Sequence, residues 1–321
     1  MSGTTLPFKL SAFRLSRLYR FGLFALTLVC IGAVFALTAC SSQDADESSK
    51  SEPSVKLRVF APESLSEALP EVERLYSAKN PDIGFEENTF DLSTQLVSDL
   101  EYLVSHPAPS DGGDESDKVQ AARDCDILFT ATASSMNDAA DAGVIDASTC
   151  ADILENDLVI CASTSSDVKI AQLSDLNSAA VSSIGLTDPS KSDEGLYAAE
   201  TLQTANLATI KESSTGAVSV TYKDAIADKV KDDALYQADL TDSLVKGNVR
   251  VAFLFGSDVV ANDQIRDVYT VPSAAHAAIR YPGAVSSTTD HGDEARAFLD
   301  FCLTDKDAKK IFSSHGLTVV A

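Results

Sequence analysis

The chain has 321 residues, with 48 acidic against 25 basic side chains and a formal net charge of −23. Such a surface repels nucleic acid, whose binding needs clustered Lys and Arg. The length admits two lobes of ordinary size.

Residues 1–39 hold Lys9, Arg14, Arg17 and Arg20 and no acid. An apolar run from Gly22 to Ala39, broken only by Thr27 and Thr38, ends in Leu37-Thr38-Ala39-Cys40. A basic start, an apolar core and small residues before a cleavage point predict a secretory signal over 1–39. The alternative is an uncleaved signal anchor, since the run can nearly span a bilayer. Leu-x-Ala-Cys resembles a bacterial lipobox, which implies that Cys40 is lipidated and anchors the mature chain to the outer side of the cell membrane. Removing the four basic residues leaves 21 Lys and Arg against 48 acids, a net charge of −27. Residues 40–54, polar and acidic with one proline, read as a tether.

Leu57–Phe60 reads as a buried strand. Leu65, Leu69, Val72, Leu75 and Tyr76 then recur at helical spacing. Between them, Ser64 with Glu67 three residues on forms a Ser-x-x-Glu capping-box pattern. Unpaired N–H groups in a helix's first turn also make such a junction an anion site, so Ser64 is either a cap or a ligand donor. Ile83–Phe90 predicts a weak strand, and Ser93 opens a helix whose Leu96, Val97, Leu100 and Leu103 share one face. Ser93 thus repeats the setting of Ser64. Two such serines point to a site, because ligands of open α/β sheets gather at the carboxyl ends of strands.

Ser105–Arg123, rich in Pro, Gly and acids, reads as an exposed, mobile insertion. Further strands are predicted at Cys125–Thr130, Leu158–Ala162, Val181–Leu186, Val249–Phe255, Val268–Val271, Ile279–Tyr281 and Ala284–Val285. Helices are predicted at Met136–Ala142, ending at Gly143, and at 196–207, 241–246, 293–303 and 305–313. The alternation argues for an α/β fold with largely parallel sheets. Cys125, Cys161 and Cys302 lie in apolar runs, which favours buried free thiols; with Cys150 they permit three pairings. No GxSxG, GxxxxGK[ST], HExxH, CxxC or GxGxxG stands in its required setting, which argues against an enzyme and against a resident metal or cofactor.

Several phrases together resemble the molybdate-binding proteins of ABC importers, of the type II periplasmic binding-protein fold. They are VFAPESLSEAL (59–69), DLSTQL (91–96), CDILFTA (125–131), LVICAS (158–163), GLTDPSKSDEGLYAAETL (185–202), FLFGSDVV (253–260), IRYPGAV (279–285) and EARAFLDFCLTDKDAKKIFSSHGL (294–317). The resemblance implies two lobes, 55–157 with 270–321 and 158–269, each a mostly parallel sheet flanked by helices, crossing near Leu158 and Val268. It also implies a monomer that hands molybdate or tungstate to a permease and ATPase. The family holds its oxyanion with serine hydroxyls, backbone N–H groups and one tyrosine hydroxyl, positions that fall here on Ser64, Ser93, Glu194, Gln237 and Phe255. Phe255 cannot donate, and a lost hydrogen bond to a charged oxygen is worth about 1.5–3 kcal/mol. Pro62 removes an N–H from the first turn. Glu194, where the family has a small residue, is expected to donate through its backbone and turn its side chain to solvent. The alternatives are the same fold with a different oxyanion or small anionic solute, and a secreted enzyme or ligand-free scaffold.

Overall fold

Short apolar runs alternate with amphipathic helices from residue 55 onward, and in the computed structural model nearly every run becomes a strand. Residues 52–106, 116–213, 218–234 and 237–320 are described. Residues 1–51 lie outside them, so Cys40, the signal and most of the tether are not covered; Ser51–Ala321 is one compact unit. The first half contains β1 (Val55–Leu57), β2 (Val59–Pro62), α1 (Ala68–Lys79), β3 (Ile83–Phe85), β4 (Thr89–Asp91), α2 (Ser93–Ser105), α3 (Asp117–Arg123), β5 (Ile127–Phe129), α4 (Ala133–Asp141) and β6 (Ala151–Glu155). There follow β7 (Leu158–Ser163), β8 (Ile184–Thr187), α5 (Asp193–Thr204), β9 (Ala208–Glu212), β10 (Val218–Tyr222), β11 (Val230–Ala234), α6 (Gln237–Val245), β12 (Val251–Phe255), α7 (Gly256–Val260) and β13 (Ile265–Thr270). The chain closes with β14 (Arg280–Val285), α8 (Gly292–Thr304), α9 (Lys306–Ser314) and β15 (Thr318–Val319).

Two sheets organise these elements, ordered β15-β6-β14-β5-β2-β4 and β11-β8-β12-β7-β13. The chain passes from the first to the second at Asn156-Asp157 and returns over residues 271–279. The α/β class holds, and each sheet is mostly parallel in sense: β4, β2, β5 and β6 run one way in the first, and β11, β8, β12 and β13 run one way in the second. Parallel pairing is confined to β4-β2-β5 in the first sheet and β11-β8-β12 in the second. Beside the passages, β14 in the first sheet and β7 in the second run against these strands, so β6 and β13 pair antiparallel with them. A chain that leaves a sheet and returns to it from a neighbour arrives reversed.

Both faces of the first sheet are covered, which is why its strands are apolar without a break. Val59, Ile127 and Phe129 face the core that includes α1 and α8, while Phe60 and Leu128 face α2 and α4. In the second sheet, Val159, Cys161, Ala252 and Leu254 pack with Leu240 and Leu244 of α6, and alternate residues pack with Tyr197, Ala198 and Leu202 of α5. Gly143 ends α4 with φ +73°, the left-handed cap expected there.

Local departures have physical causes. The run 83–90 splits into β3 and β4, which pair in different sheets. The expected insertion at 105–123 is helical over its last seven residues, where the Ser116 hydroxyl accepts from Val119 N–H and Ala122 is buried against α2; residues 107–115 lie outside the described set. The two expected strands at 279–285 are one strand, with a register shift at Tyr281/Pro282. Cys125, Cys150, Cys161 and Cys302 are all free, with only Cys150 exposed.

Phe298 of α8 is fully buried, its ring centroid 5.2 Å from that of Tyr76 and 4.8 Å from that of Phe85. Phe298→Ala is expected to destabilise the fold by about 3–5 kcal/mol. The measurement is the urea midpoint, which should fall at unchanged slope.

Candidate functional site

The parallel part of each sheet ends at the interface between the lobes. β2 and β4 run side by side, with Pro62 paired to Asp91, so the turns that follow them open at the same edge. From the other sheet, β8 and β12 run parallel and end at Thr187 and Phe255. Ser64, Ser93, Glu194 and Phe255 thereby come to line one cavity of about 20 Å³, together with Glu63 and Asp193. That volume holds about one water molecule. The lobes touch around it: Thr94 Oγ1 donates to Lys191 O (3.3 Å) and the Tyr197 hydroxyl donates to Ala131 O (3.3 Å). With the lobes so placed, the cavity has no room for a ligand larger than a water molecule.

Ser64 does not cap a helix. It sits in a 3-10 turn, Glu63–Leu65, whose cap residue is Pro62, and α1 starts only at Ala68 with no side-chain cap from Glu67. The capping-box expectation fails because this turn intervenes. The Ser64 hydroxyl instead lies 2.9 Å from the hydroxyl of Tyr281, which is wholly buried. Asn156 settles the direction of that bond. Its Oδ1 accepts from Asp157 N–H (2.9 Å) and Ser257 N–H (3.4 Å), so its Nδ2 points to Ser257 Oγ (2.9 Å) and Tyr281 OH (3.0 Å) as donor. The buried Tyr281 proton then has Ser64 Oγ as its acceptor among the hydrogen bonds of the described residues, which leaves the Ser64 proton free for the cavity.

Ser93 is the first residue of α2 and buried. Its Oγ accepts from Ala131 N–H (3.0 Å) and lies near the Asp193 carboxylate, whose acid is raised by burial against the opposing effect of the Ser93 and Thr132 hydroxyls. Asp193 and Glu194 open α5, where backbone N–H groups have no acceptor within the helix. Gly195 sets how closely that turn approaches β8: a Cβ there would lie 2.3 Å from Thr187 O.

The Glu194 side chain does not face solvent. It is buried, with its carboxyl accepting from Phe255 N–H (3.0 Å) and Thr187 Oγ1 (3.4 Å). The same Phe255 N–H reaches Asp258 Oδ2 (3.0 Å), and the two carboxyls are hydrogen-bonded to each other. The orientation reverses the expectation because the unpaired N–H at the end of β12 offers the carboxyl a partner that water would otherwise supply. Burial, with the charge of Asp258, pushes the Glu194 acid well up; burial pushes Asp258 up to about 7. The ring of Phe255 lines the cavity edge-on to Tyr197 and Tyr281, with centroids 6.3 and 6.2 Å away. Gln237 opens α6, and its side chain lies outside the described set.

Sequence reasoning passed over Asn156, Tyr281 and Asp193. A tyrosine before proline in an otherwise apolar strand was the available signal, since a buried Tyr hydroxyl needs a partner. Asp193 gave none beyond its place in the first turn.

The model of the bacterial extracellular solute-binding protein family matches residues 57–318. The chain belongs to that family. It is 22% identical over 298 residues to a provisionally named ABC transporter substrate-binding lipoprotein, YvgL, of Bacillus subtilis, covering 92% of this chain and 98% of that one. It is 25% identical over 271 residues to the molybdate-binding protein ModA of Haemophilus influenzae, covering 83% and 91%. Among solved structures, the substrate-binding domain of a provisionally assigned molybdenum ABC transporter from Clostridium difficile aligns with TM-score 0.63 at 25% identity, over 83% of this chain and all of that domain. The fold is that of type II periplasmic binding proteins, and the chain is a substrate-binding protein of an ABC transporter rather than an enzyme.

The Glu194–Asp258 pair makes stability depend on pH. Each folded-state pKa lies above the ordinary carboxylate value near 4, so folding takes up protons in between. The contribution is full below about pH 4 and is lost as pH rises through about 7. The melting temperature is expected to fall across that window, and Asp258→Asn, which keeps an acceptor for Phe255 N–H, should flatten the fall in a thermal series.

Proposed function

We propose that this substrate-binding protein captures a small tetrahedral oxyanion between its lobes, with molybdate first among that class because relatives carry that name, and tungstate beside it as a dianion of the same shape. The observation behind the proposal is the convergence of the Ser64 and Ser93 hydroxyls with the first-turn amides of α5 on one cavity at the lobe interface. These donors are neutral. They substitute for water around an anion without adding a countercharge, which permits release to a permease. Donors come from both lobes, so a bound anion favours the closed arrangement through differential affinity. The chain acts as a monomer tethered by lipid on Cys40, facing the permease and ATPase of an importer.

A second reading keeps the cleft and changes the oxyanion. It is favoured by the lining itself: Glu63, Asp91, Asp193 and Glu194 contribute carboxyls, Phe255 contributes no donor, and none of the lining residues is Lys, Arg or His. Calorimetric titration of molybdate, tungstate, sulfate and phosphate separates the two. Ser64→Ala and Ser93→Ala should each weaken the best-bound anion by about 10- to 150-fold. An unchanged affinity in both variants removes the cleft as the ligand site. Phe255→Tyr should tighten binding by about tenfold, and weaker binding would mean that a hydroxyl at this ring does not reach the anion.

A further inference from the structure

We propose that Tyr197 is a positioning residue for the bound anion: as the lobes close, its hydroxyl takes hold of Ala131 O and, through the Ala131 amide, fixes Ser93 as a ligand donor. The inference rests on the reading of the cleft as an oxyanion site and holds for whichever oxyanion occupies it.

Helix α5 presents a polar face along the junction of the lobes. Asp193, Tyr197, Glu200 and Thr204 follow one another at intervals of four, three and four residues, which places them on one side of the helix. Their partners fall into two groups. At the far end, Thr204 Oγ1 donates to Ala275 O (2.9 Å) and Ala277 N–H donates to Glu200 Oε2 (2.8 Å), both on the passage that returns to the first lobe. At the end nearer the cleft, Asp193 Oδ1 lies 3.4 Å from Thr132 Oγ1, in the turn after β5. Tyr197 stands between the groups and reaches both. Its hydroxyl lies 3.3 Å from Ala131 O and 3.5 Å from Ala278 O.

A phenol has one proton to donate, so the two carbonyls compete for it. Tyr197 is buried, and burial pushes its phenol well up, which keeps it a donor at neutral pH. Atoms of the passage move least when the lobes rotate about it, whereas Ala131 travels with the first lobe. The hydroxyl therefore keeps Ala278 O when the cleft is open and gains Ala131 O when it shuts. Neither state strands the buried proton, so the contact has two positions rather than one fixed bond.

The shut position acts on Ala131, which lines the cavity beside Ser93. Its C=O is held by Tyr197, and its N–H donates to Ser93 Oγ (3.0 Å). A serine oxygen engaged in this way cannot turn its own proton toward Ala131, and that proton stays available to the cavity. A donor held in place before the ligand arrives binds more tightly than a rotating one, because less freedom is lost on binding.

The test is calorimetric titration of the full chain in detergent with molybdate, tungstate, sulfate and phosphate. Tyr197→Phe keeps the ring, edge-on to Phe255 and His276, and removes the donor. It should weaken the best-bound anion by about 5- to 15-fold. In a Ser93→Ala background the same substitution should cost less than about twofold, because the donor it acts through is gone. Thr204→Val, at the passage end of the same helix face, should leave affinity within about twofold of the wild type. An unchanged affinity in Tyr197→Phe overturns the proposal. So does an equal loss with and without Ser93, which reports lobe packing alone, and so does an equal loss in Thr204→Val. Each of these leaves the cleft reading standing, whereas no binding of any of the four anions by the wild type ends both. Should Tyr197→Phe fail to fold by circular dichroism, hydrogen exchange of the wild type carries the test. The best-bound anion should slow exchange at the Ala131 amide by about tenfold, and no slowing overturns the proposal.

Discussion

The side-chain amide of Asn156 holds the two lobes in register, and the rest of the site hangs from it. It stands at the first passage between the sheets, almost wholly buried, and its oxygen and nitrogen each make two hydrogen bonds. One side of the amide grips α7 through the N–H and hydroxyl of Ser257, and the other grips β14 through Tyr281. Because the oxygen faces two backbone N–H groups, the amide cannot flip without leaving donors facing donors. That fixed polarity passes to Tyr281 and then to Ser64, so the aim of a cleft hydroxyl is set by an amide two bonds removed from it. Buried polar chains in which every member is satisfied specify one arrangement, because any alternative leaves a desolvated group unpaired.

The same placement separates contacts that persist from contacts that exchange. Asn156 and Tyr281 lie where the chain passes between the sheets, and a rotation of the lobes about those passages moves nearby atoms least. The contacts of Asp193 with Thr132, and of Thr94 with Lys191, lie at the cavity. They are single hydrogen bonds between polar groups that water can replace. Opening therefore gives up weak interfacial bonds and keeps the buried network, which is the condition for repeated closure on a ligand.

How much of this was legible follows from what kind of signal each residue leaves. Ser64 and Ser93 were readable because a strand that ends in a polar turn before an amphipathic helix has a local pattern, and the pattern survives folding. Phe255 was readable by its place before Gly256-Ser257-Asp258. The direction of the Glu194 side chain was not, because it depends on an unpaired N–H at the end of β12, sixty-one residues away. The reversed sense of β14 was equally hidden, because it joins its sheet only after the chain has built the second lobe. Neither the Asn156–Tyr281 network nor the reach of Asp193 into the other lobe exists until both lobes are made.

The charge of the chain sharpens the question of what such a cleft can hold. A net charge of −23 raises a negative potential around the molecule, yet salt screens it within about 8–10 Å, so surface acids slow the approach of an anion more than they oppose its binding. The carboxyls inside the interface are different, since no salt lies between them and a ligand. Glu194 and Asp258 answer by sharing a proton away from the cavity, which removes one charge from the site. Asp193 has no carboxyl partner of this kind; burial raises its acid, and Thr132 Oγ1 lies 3.4 Å from its Oδ1. The charge of this cleft therefore depends on which of its buried acids hold a proton, and burial favours the neutral form of each.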